Sequence, residues 1–214
     1  MLVLLSISYI HAFFDNATVT DSIEDSRYNG SEDLTVREVC YQHLGCFKDT
    51  DGPVKPTKRA IYLPEHPDKL ATKFTLYTQD DRSNGVLVDY NETRSLAVIN
   101  ATQRLCFVVH GLGRESQPLV DLRKALLDEV PQVISVDWSR GSPALFYPYA
   151  ATNTQIIGRQ IAVIVEQLRV NYGLDPALAH VVGFSLGAQI AGFAGRWTIK
   201  QFGQKLGRIS GKSS

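Results

Sequence analysis

The chain has 214 residues, of which 44% are hydrophobic and 21% are charged, and its 22 basic residues balance its 22 acidic residues. This composition is typical of one globular domain. Because the chain has neither a net charge nor a basic run, nucleic acid is excluded as a partner. The longest apolar run, Leu2 to Ile10, is much shorter than the ~20 residues of a membrane-spanning helix, so a transmembrane segment is excluded as well.

The N-terminal residues 1–12 have the length of the apolar region of a signal peptide and end in the small residue Ala12. The alternative is a buried first strand of a cytosolic protein. Residues 13–35 are polar and predict a flexible leader. Chance would put only about one of the seven asparagines in a glycosylation sequon. Four of them lie in one, namely Asn16, Asn29, Asn91 and Asn100. The sequence therefore favours a secreted, extracellular glycoprotein.

The three cysteines predict one small ring and one isolated thiol. Cys40 and Cys46 bracket a short loop, which a disulfide can close in an oxidising compartment, although two free thiols are the alternative. Cys106 lies in an apolar run and is expected to be a buried structural thiol. The chain lacks the closely spaced ligands of a zinc site, so we predict no metal and no cofactor.

From Lys73 onward, strand and helix patterns alternate. Residues 73–78 alternate apolar and polar side chains and predict a half-exposed antiparallel strand, and the segment between Asn91 and Asn100 predicts a surface hairpin. Three continuous apolar strands are predicted further on, at 104–109, 132–136 and 179–183.

Helices are predicted between and after these strands, at 118–130, from an N-cap at Asn153 to a stop at Gly173, and at 186–197. The last of them carries Ala and Gly at close spacing, which is typical of a helix lying tight against a sheet. The alternation predicts the α/β class, with a mostly parallel sheet and helices on both faces.

One motif carries chemistry. The strand that ends at Gly183 continues into Gly183-Phe-Ser-Leu-Gly187, and a helix follows at once. This is the strand, turn and helix context of a G-x-S-x-G nucleophile elbow, whose glycines let strand and helix approach closely around a strained serine. Ser185 is therefore the candidate nucleophile, and a structural serine in a tight turn is the alternative.

The oxyanion hole of such a site needs two backbone N–H groups. Leu186 follows the serine at the start of a helix, and Leu112 lies in a glycine-containing loop after the strand at 104–109, so their amides are the candidates. His110 precedes the serine, whereas this kind of site has the order nucleophile, acid, histidine. We therefore assign His110 to the oxyanion loop and Asp137 to a structural loop position.

These motifs resemble the pancreatic-type lipases, secreted triacylglycerol lipases and phospholipases A1 with the α/β-hydrolase fold. The segment from Glu38 to Phe47 resembles the opening of the mature pancreatic enzymes, and this implies a disulfide between Cys40 and Cys46. The oxyanion loop, the strand end at 136–138, the helix start at 149–158, the elbow at 183–192 and the strand at 207–211 also match. The resemblance covers residues 36–211, roughly the first half of the family's catalytic domain, and implies a fold truncated after the nucleophile helix.

Two positions depart from the family. Phe184 stands where the family usually has histidine. After Gly211 the family continues into Leu-Asp-Pro, whereas residues 212–214 form a non-family tail that places Ser213 at the position of the catalytic Asp. The resemblance thus implies a chain without the catalytic Asp and His, inactive alone, either a real isoform or an incomplete reading of a longer gene.

By descent, the resemblance implies a triacylglycerol lipase-like serine hydrolase that meets its lipid ester substrate at a lipid–water interface. The alternative is a non-catalytic secreted isoform that binds lipid or has a regulatory role. The sequence does not choose among triacylglycerol, phospholipid and galactolipid substrates, and it specifies no protein partner.

Overall fold

The computed structural model describes residues 37–53 and 62–212. The predicted signal segment 1–12, the leader 13–35 with Asn16 and Asn29, and Ser213 lie outside the described residues. The predicted domain boundaries therefore stay predictions.

The described residues form eight β-strands and four α-helices. The strands are β1 Glu38–Tyr41, β2 Gly45–Lys48, β3 Lys73–Thr78, β4 Val86–Val88, β5 Leu105–Val109, β6 Gln132–Asp137, β7 Ala179–Phe184 and β8 Arg208–Lys212. The α-helices are α1 Pro67–Leu70, α2 Gln117–Glu129, α3 Tyr147–Tyr172 and α4 Leu186–Phe202. Short 3₁₀ helices span Thr93–Val98, Ser139–Gly141 and Pro176–Leu178.

Six of the strands form one sheet in the order β4-β3-β6-β5-β7-β8. β3 is antiparallel to both of its neighbours, as predicted, and β6, β5, β7 and β8 run parallel to one another. Val109 lies opposite Val136 on one side and Gly183 on the other. The parallel strands therefore bring the segments that follow them to one edge of the sheet.

Helices cover both faces of this sheet. α3 and α4 belong to the larger apolar cluster on one face, whereas α2 packs on the other face over Cys106, Val108 and Val133. All five residues of β5 are buried, because a central parallel strand is covered on both sides. The predicted α/β class, with a mostly parallel sheet and helices on both faces, is confirmed.

The first two strands form a separate hairpin that is closed by a disulfide. Cys40 and Cys46 are register partners in β1 and β2, and the structure has the predicted bond between them. Cys106 is a free, fully buried thiol on β5, as expected. Burial raises the pKa of this thiol to about 12, so it is not a nucleophile at neutral pH.

Small residues bring α4 close to its neighbours. A Cβ on Gly195 would lie 2.4 Å from Cδ1 of Ile209 on β8, and a Cβ on Gly158 of α3 would lie 2.6 Å from Cβ of Phe193 on α4. The predicted tight packing of this helix is confirmed. The helix is longer than the sequence predicts, since it continues to Phe202 and ends at Gly203 in a left-handed conformation with φ +66°.

Asn153 is not an N-cap, so that prediction was wrong. α3 begins at Tyr147, with a proline in its first turn where the missing N–H costs no hydrogen bond. Inside the helix, the Asn153 side chain accepts from the Glu65 amide at 3.0 Å and donates to the Gly141 carbonyl at 3.0 Å. Its polar groups are satisfied by tertiary contacts rather than by a helix end. Gly173 ends the helix with φ +78°, as predicted.

The predicted hairpin between Asn91 and Asn100 was also wrong, because the segment forms the 3₁₀ helix Thr93–Val98. The Glu92 side chain accepts from the Arg94 amide at 3.1 Å and so caps the helix. Leu96 is fully buried within the main apolar cluster. A local cap and one buried side chain outweigh the β-propensity of the segment.

Candidate active site

Ser185 lies at the sharp turn between β7 and α4. Its backbone has φ 53° and ψ −119°, a conformation that a residue with a Cβ rarely adopts. Its amide donates to the carbonyl of Lys212 on β8 at 2.8 Å, and its carbonyl accepts from the Ala188 amide at 2.9 Å. The structure thus holds the serine from the strand beside it and from the helix after it.

Glycine is required at both flanking positions of this turn. A Cβ on Gly183 would lie 2.1 Å from the Gly187 carbonyl oxygen, and a Cβ on Gly187 would lie 2.3 Å from the Val109 carbonyl oxygen. Both distances are far below van der Waals contact. The backbones of β5, β7 and α4 meet here because the two side chains are absent.

The predicted oxyanion loop lies directly against the serine. A Cβ on Gly111 would be 2.9 Å from the Cβ of Ser185 and 3.4 Å from its hydroxyl oxygen. Leu186 is the first residue of α4, so its N–H has no acceptor within the helix. No backbone acceptor among the described residues takes the Leu112 N–H. The two candidate amides therefore have no backbone acceptor among the described residues.

A buried serine fixes the predicted oxyanion loop. The Gly113 amide donates to the Ser142 carbonyl at 2.8 Å, and the Ser142 hydroxyl donates to the Gly113 carbonyl at 2.9 Å. Ser142 is fully buried. Sequence reasoning missed this residue, since a serine in a loop after a strand carries no local signal of a contact made 29 residues away.

Hydrogen bonds at both ring nitrogens hold the His110 side chain in place. Its Nδ1 lies 2.8 Å from the Gly111 carbonyl oxygen, which can only accept, so Nδ1 carries the proton and donates it. Its Nε2 then accepts from the Trp138 amide at 3.1 Å. Because both ring nitrogens are engaged, His110 is not free to accept a proton from Ser185. This geometry agrees with its predicted place in the oxyanion loop.

Comparison with known proteins gives the family of this fold. The family model described as Lipase matches residues 37–213. The chain belongs to the lipase family. The sheet, the helices on its faces and the elbow are those of the α/β-hydrolase fold.

The relatives of this lipase-family chain include enzymes and a protein named as inactive. The inactive pancreatic lipase-related protein 1 of Homo sapiens is 35% identical over 185 residues, which is 82% of this chain and 38% of the relative. The pancreatic lipase-related protein 2 of Cavia porcellus is 34% identical over 180 residues, 81% of this chain and 40% of the relative. The pancreatic triacylglycerol lipase of Myocastor coypus is 36% identical over 181 residues, which is 81% of this chain and 38% of the relative. The chain thus spans about two fifths of the length of these relatives.

Trp138 was predicted only as part of a strand end, and the structure places it against His110 in the candidate site. Its indole N–H donates to the His110 carbonyl at 2.8 Å, and the two rings stack with centroids 5.6 Å apart. The signal was available in the sequence, because residues that directly follow neighbouring parallel strands meet at one sheet edge. Trp138 fixes the orientation of the residue that begins the oxyanion loop.

Asp137 occupies the structural position that the sequence predicts. Its carboxylate accepts from the amide of Ser139 at 3.0 Å and also from the Ser139 hydroxyl. The amide and hydroxyl of Ser139 hold the pKa of the Asp137 carboxyl below its usual range. The carboxylate therefore stabilises the turn after β6 as an anion at neutral pH.

The described residues offer one group of three side chains of the metal-ligand type, Glu38, Cys40 and Cys46. Two of the three form the disulfide, which leaves a single carboxylate. Within the described part of the chain, no helix is both long enough and apolar enough to cross a bilayer.

Exposed apolar side chains occur in the segments that follow the strands at the edge where Ser185 lies. Leu145 is 90% exposed and Phe146 is 64% exposed, and both follow Ser142, the residue bonded to the oxyanion loop. Phe184, which precedes Ser185, and Leu112 are exposed to a smaller extent. These exposed side chains give an apolar molecule a surface to contact.

Proposed function

We propose that this chain provides the nucleophile and the oxyanion hole of a secreted hydrolase of lipid esters, of the triacylglycerol lipase type. Ser185 attacks the ester carbonyl, and the amides of Leu112 and Leu186 stabilise the oxyanion that forms. The observation that carries the proposal is the strained Ser185 turn directly against Gly111. Strain of this kind persists where a functional geometry requires it.

The reaction also needs a base that accepts the Ser185 proton and an acid residue that orients the base. His110 cannot act as this base, since Gly111 and Trp138 occupy its two ring nitrogens. No histidine of residues 37–53 and 62–212 hydrogen-bonds to the Ser185 hydroxyl. In the family's order the acid and the base follow the position of Gly211, so they belong to residues beyond the described part.

The 214-residue polypeptide alone is expected to hydrolyse a short-chain nitrophenyl ester slowly, because loss of triad members removes most of the rate. The measurement is the initial rate of this polypeptide beside that of a complete pancreatic lipase. Equal turnover would contradict the need for a further acid and base.

The nucleophile itself is tested in a longer product. Sequencing the transcript through the codons of Ile209 to Ser214 and beyond shows whether an Asp- and His-bearing region follows. In that product, Ser185→Ala is expected to lower kcat by about 10⁶-fold, as in other serine hydrolases. Ser116→Ala, at an exposed serine outside the site, is the matched control. An unchanged kcat of Ser185→Ala would remove Ser185 from the mechanism.

The exposed apolar side chains of Leu112, Leu145 and Phe146 support action at a lipid–water interface.

Secretion is supported by the Cys40–Cys46 disulfide and by the sequons of Asn91 and Asn100, both of which are exposed. If the chain passes through a secretory compartment, treatment of secreted material with an N-glycosidase lowers its apparent mass. No mass change would count against this route.

A second candidate function is lipid binding without catalysis. The observation that favours it is the 35% identity to a relative whose name describes it as inactive. Titration with a fluorescent fatty acid separates the two candidates. Saturable binding by a longer product that has no Ser185-dependent hydrolysis supports the binding function, whereas absence of binding rejects it.

A further inference from the structure

A cavity of about 170 Å³ lies where the strands β5, β7 and β8 begin. The first residues of these strands, Leu105, Ala179 and Arg208, all line it. The three strands run parallel, and Ser185 directly follows the last residue of β7. The cavity therefore lies at the sheet edge opposite to the one where Ser185 lies, and it is separate from the site of the proposed function.

Two exposed arginines, Arg104 and Arg208, line this cavity, so a solute can reach them. Arg208 is the register partner of His180, and His180 is the register partner of Cys106. Register partners on neighbouring strands place their side chains on the same face of a sheet. Since Cys106 packs under α2, Arg208 and His180 lie on the sheet face that carries α2.

The guanidinium of Arg104 is held at the end of the same helix. Its Nη2 donates to the Glu129 carbonyl at 2.7 Å, and the next residue, Val130, lines the cavity as well. A guanidinium has five N–H donors, and this is the one hydrogen bond that the Arg104 side chain makes within the described part of the chain. The remaining donors are available to a ligand.

No carboxylate of residues 37–53 and 62–212 neutralises either arginine by an ion pair. Arg82, in contrast, has its Nη1 2.6 Å from a carboxylate oxygen of Asp128. The lining of the cavity contains neither Asp nor Glu. Two like charges at one cavity repel each other, and an anion between them replaces this repulsion with attraction.

His180 adds a further donor to the cavity wall. Its Nε2 lies 3.0 Å from Oγ of Ser210. Burial and Arg208 lower the pKa of His180 to about 4, so its ring is neutral at pH 7. When the Ser210 hydroxyl donates to Nε2, Nδ1 carries the proton. This Nδ1 has no partner among the described residues and is not sealed from solvent, so it can donate to a ligand.

We propose that this cavity binds the phosphate group of a small soluble molecule. A guanidinium donates two parallel hydrogen bonds to a pair of oxygens, so two guanidiniums need more acceptors than the two oxygens of a carboxylate. A phosphate group offers enough oxygens for both arginines and for the His180 donor. The cavity has the volume of about five water molecules, which accommodates a phosphate group.

The rim of the cavity favours a soluble phosphate over a lipid headgroup. A protein that binds at a membrane surface inserts apolar side chains beside its cationic groups. The large exposed apolar side chains of the described residues, such as Leu87, Leu145 and Phe146, all lie outside the lining of this cavity. The cavity can therefore attract an anion but has no apolar anchor for a bilayer.

The test titrates the 214-residue chain with inorganic phosphate at pH 7, while sodium chloride keeps the ionic strength constant. Calorimetry measures the binding, and NMR follows the ring signals of the histidines, with those of His180 assigned by His180→Gln. We expect saturable binding that shifts the His180 signals and leaves those of His43 and His66, which do not line the cavity, unchanged. Acetate is expected to bind about tenfold more weakly than phosphate, because it has only two oxygens.

Two variants connect the binding to the arginines. Arg104→Gln and Arg208→Gln each remove one guanidinium from an exposed position and are expected to weaken phosphate binding about tenfold. Arg94→Gln, at an exposed position outside the cavity, is the control and leaves the binding unchanged. Urea unfolding checks that all three variants are folded.

Absence of saturable phosphate binding, equally tight binding of acetate, or phosphate binding that both variants retain would each overturn the proposal. Binding to vesicles that contain phosphatidic acid, without binding of inorganic phosphate, would overturn it as well. None of these measurements uses esterase activity, so their outcome is independent of the role proposed for Ser185.

Discussion

The backbones of Gly187 and Val109 are in direct contact, such that a Cβ on Gly187 would lie 2.3 Å from the Val109 carbonyl oxygen. This contact joins the end of β5 to the first turn of α4. It therefore positions the predicted oxyanion loop relative to Ser185, and it depends on the absence of one methyl group.

Gly187→Ala is expected to lower the free energy of unfolding by about 3 kcal/mol, because backbone atoms cannot move aside as a flexible side chain can. The matched control is Gly192→Ala in the same helix, where an added Cβ meets nothing within 4 Å. That substitution is expected to raise the free energy of unfolding by about 0.5–1 kcal/mol through helix propensity. Urea unfolding followed by tryptophan fluorescence measures both, and equal effects would contradict the contact.

The strain at Ser185 predicts that removal of its side chain stabilises the fold. Ser185→Gly is expected to raise the free energy of unfolding by up to about 2 kcal/mol, since glycine adopts a positive φ without a Cβ clash. Ser116→Gly is the control, at φ −97° and without a side-chain hydrogen bond, and is expected to be neutral or destabilising. Both are measured by urea unfolding. A loss of stability in Ser185→Gly would show that the turn is not strained.

His180 predicts a loss of stability in mild acid. Burial and the nearby Arg208 lower its pKa from 6.5 to about 4. Between these values the unfolded state binds the proton more readily than the folded state does. The contribution of neutral His180 to the free energy of unfolding is therefore complete above pH 6.5 and is lost as the pH falls toward 4.

The expected loss is about 1–2 kcal/mol, with allowance for solvent screening of a partly exposed side chain. Urea unfolding at several pH values measures how steeply the free energy of unfolding changes with pH. His180→Gln keeps a polar group beside the Ser210 hydroxyl, 3.0 Å from His180 Nε2, and is expected to remove this part of the pH dependence. An unchanged slope in the variant would assign the acid sensitivity to other groups.

Arg159 connects the disulfide hairpin to the two long helices. Its guanidinium lies 3.6 Å from the ring centroid of Phe47 and 3.8 Å from that of Trp197, and it donates to the Leu44 carbonyl at 2.7 Å. Arg159→Lys keeps the charge but loses the planar group between the rings. We expect it to lower the free energy of unfolding by about 1–2 kcal/mol.

Arg94→Lys, at an exposed position, is the control for this substitution and is expected to leave stability unchanged. Thermal and urea unfolding of the two variants measure the difference. If both variants match the unsubstituted chain, the stacked arginine contributes nothing to the attachment of the hairpin.

The elements that the sequence alone determined are those whose signals are local. Continuous apolar runs specified β5, β6 and β7, because central parallel strands are buried on both faces. Gly173 specified the end of α3, since few other residues accept its backbone conformation. The elbow and the oxyanion loop were predicted because their glycines and strand contexts lie within a few residues of Ser185 and His110.

Only the tertiary structure decided which partners the polar side chains take. Asn153 has the composition of a helix cap but bonds to Glu65 and Gly141 inside α3, and Ser142 holds a loop that is distant in sequence. Apolar periodicity reports burial, which is a property of each side chain, whereas a hydrogen bond requires two groups whose meeting is fixed by the fold.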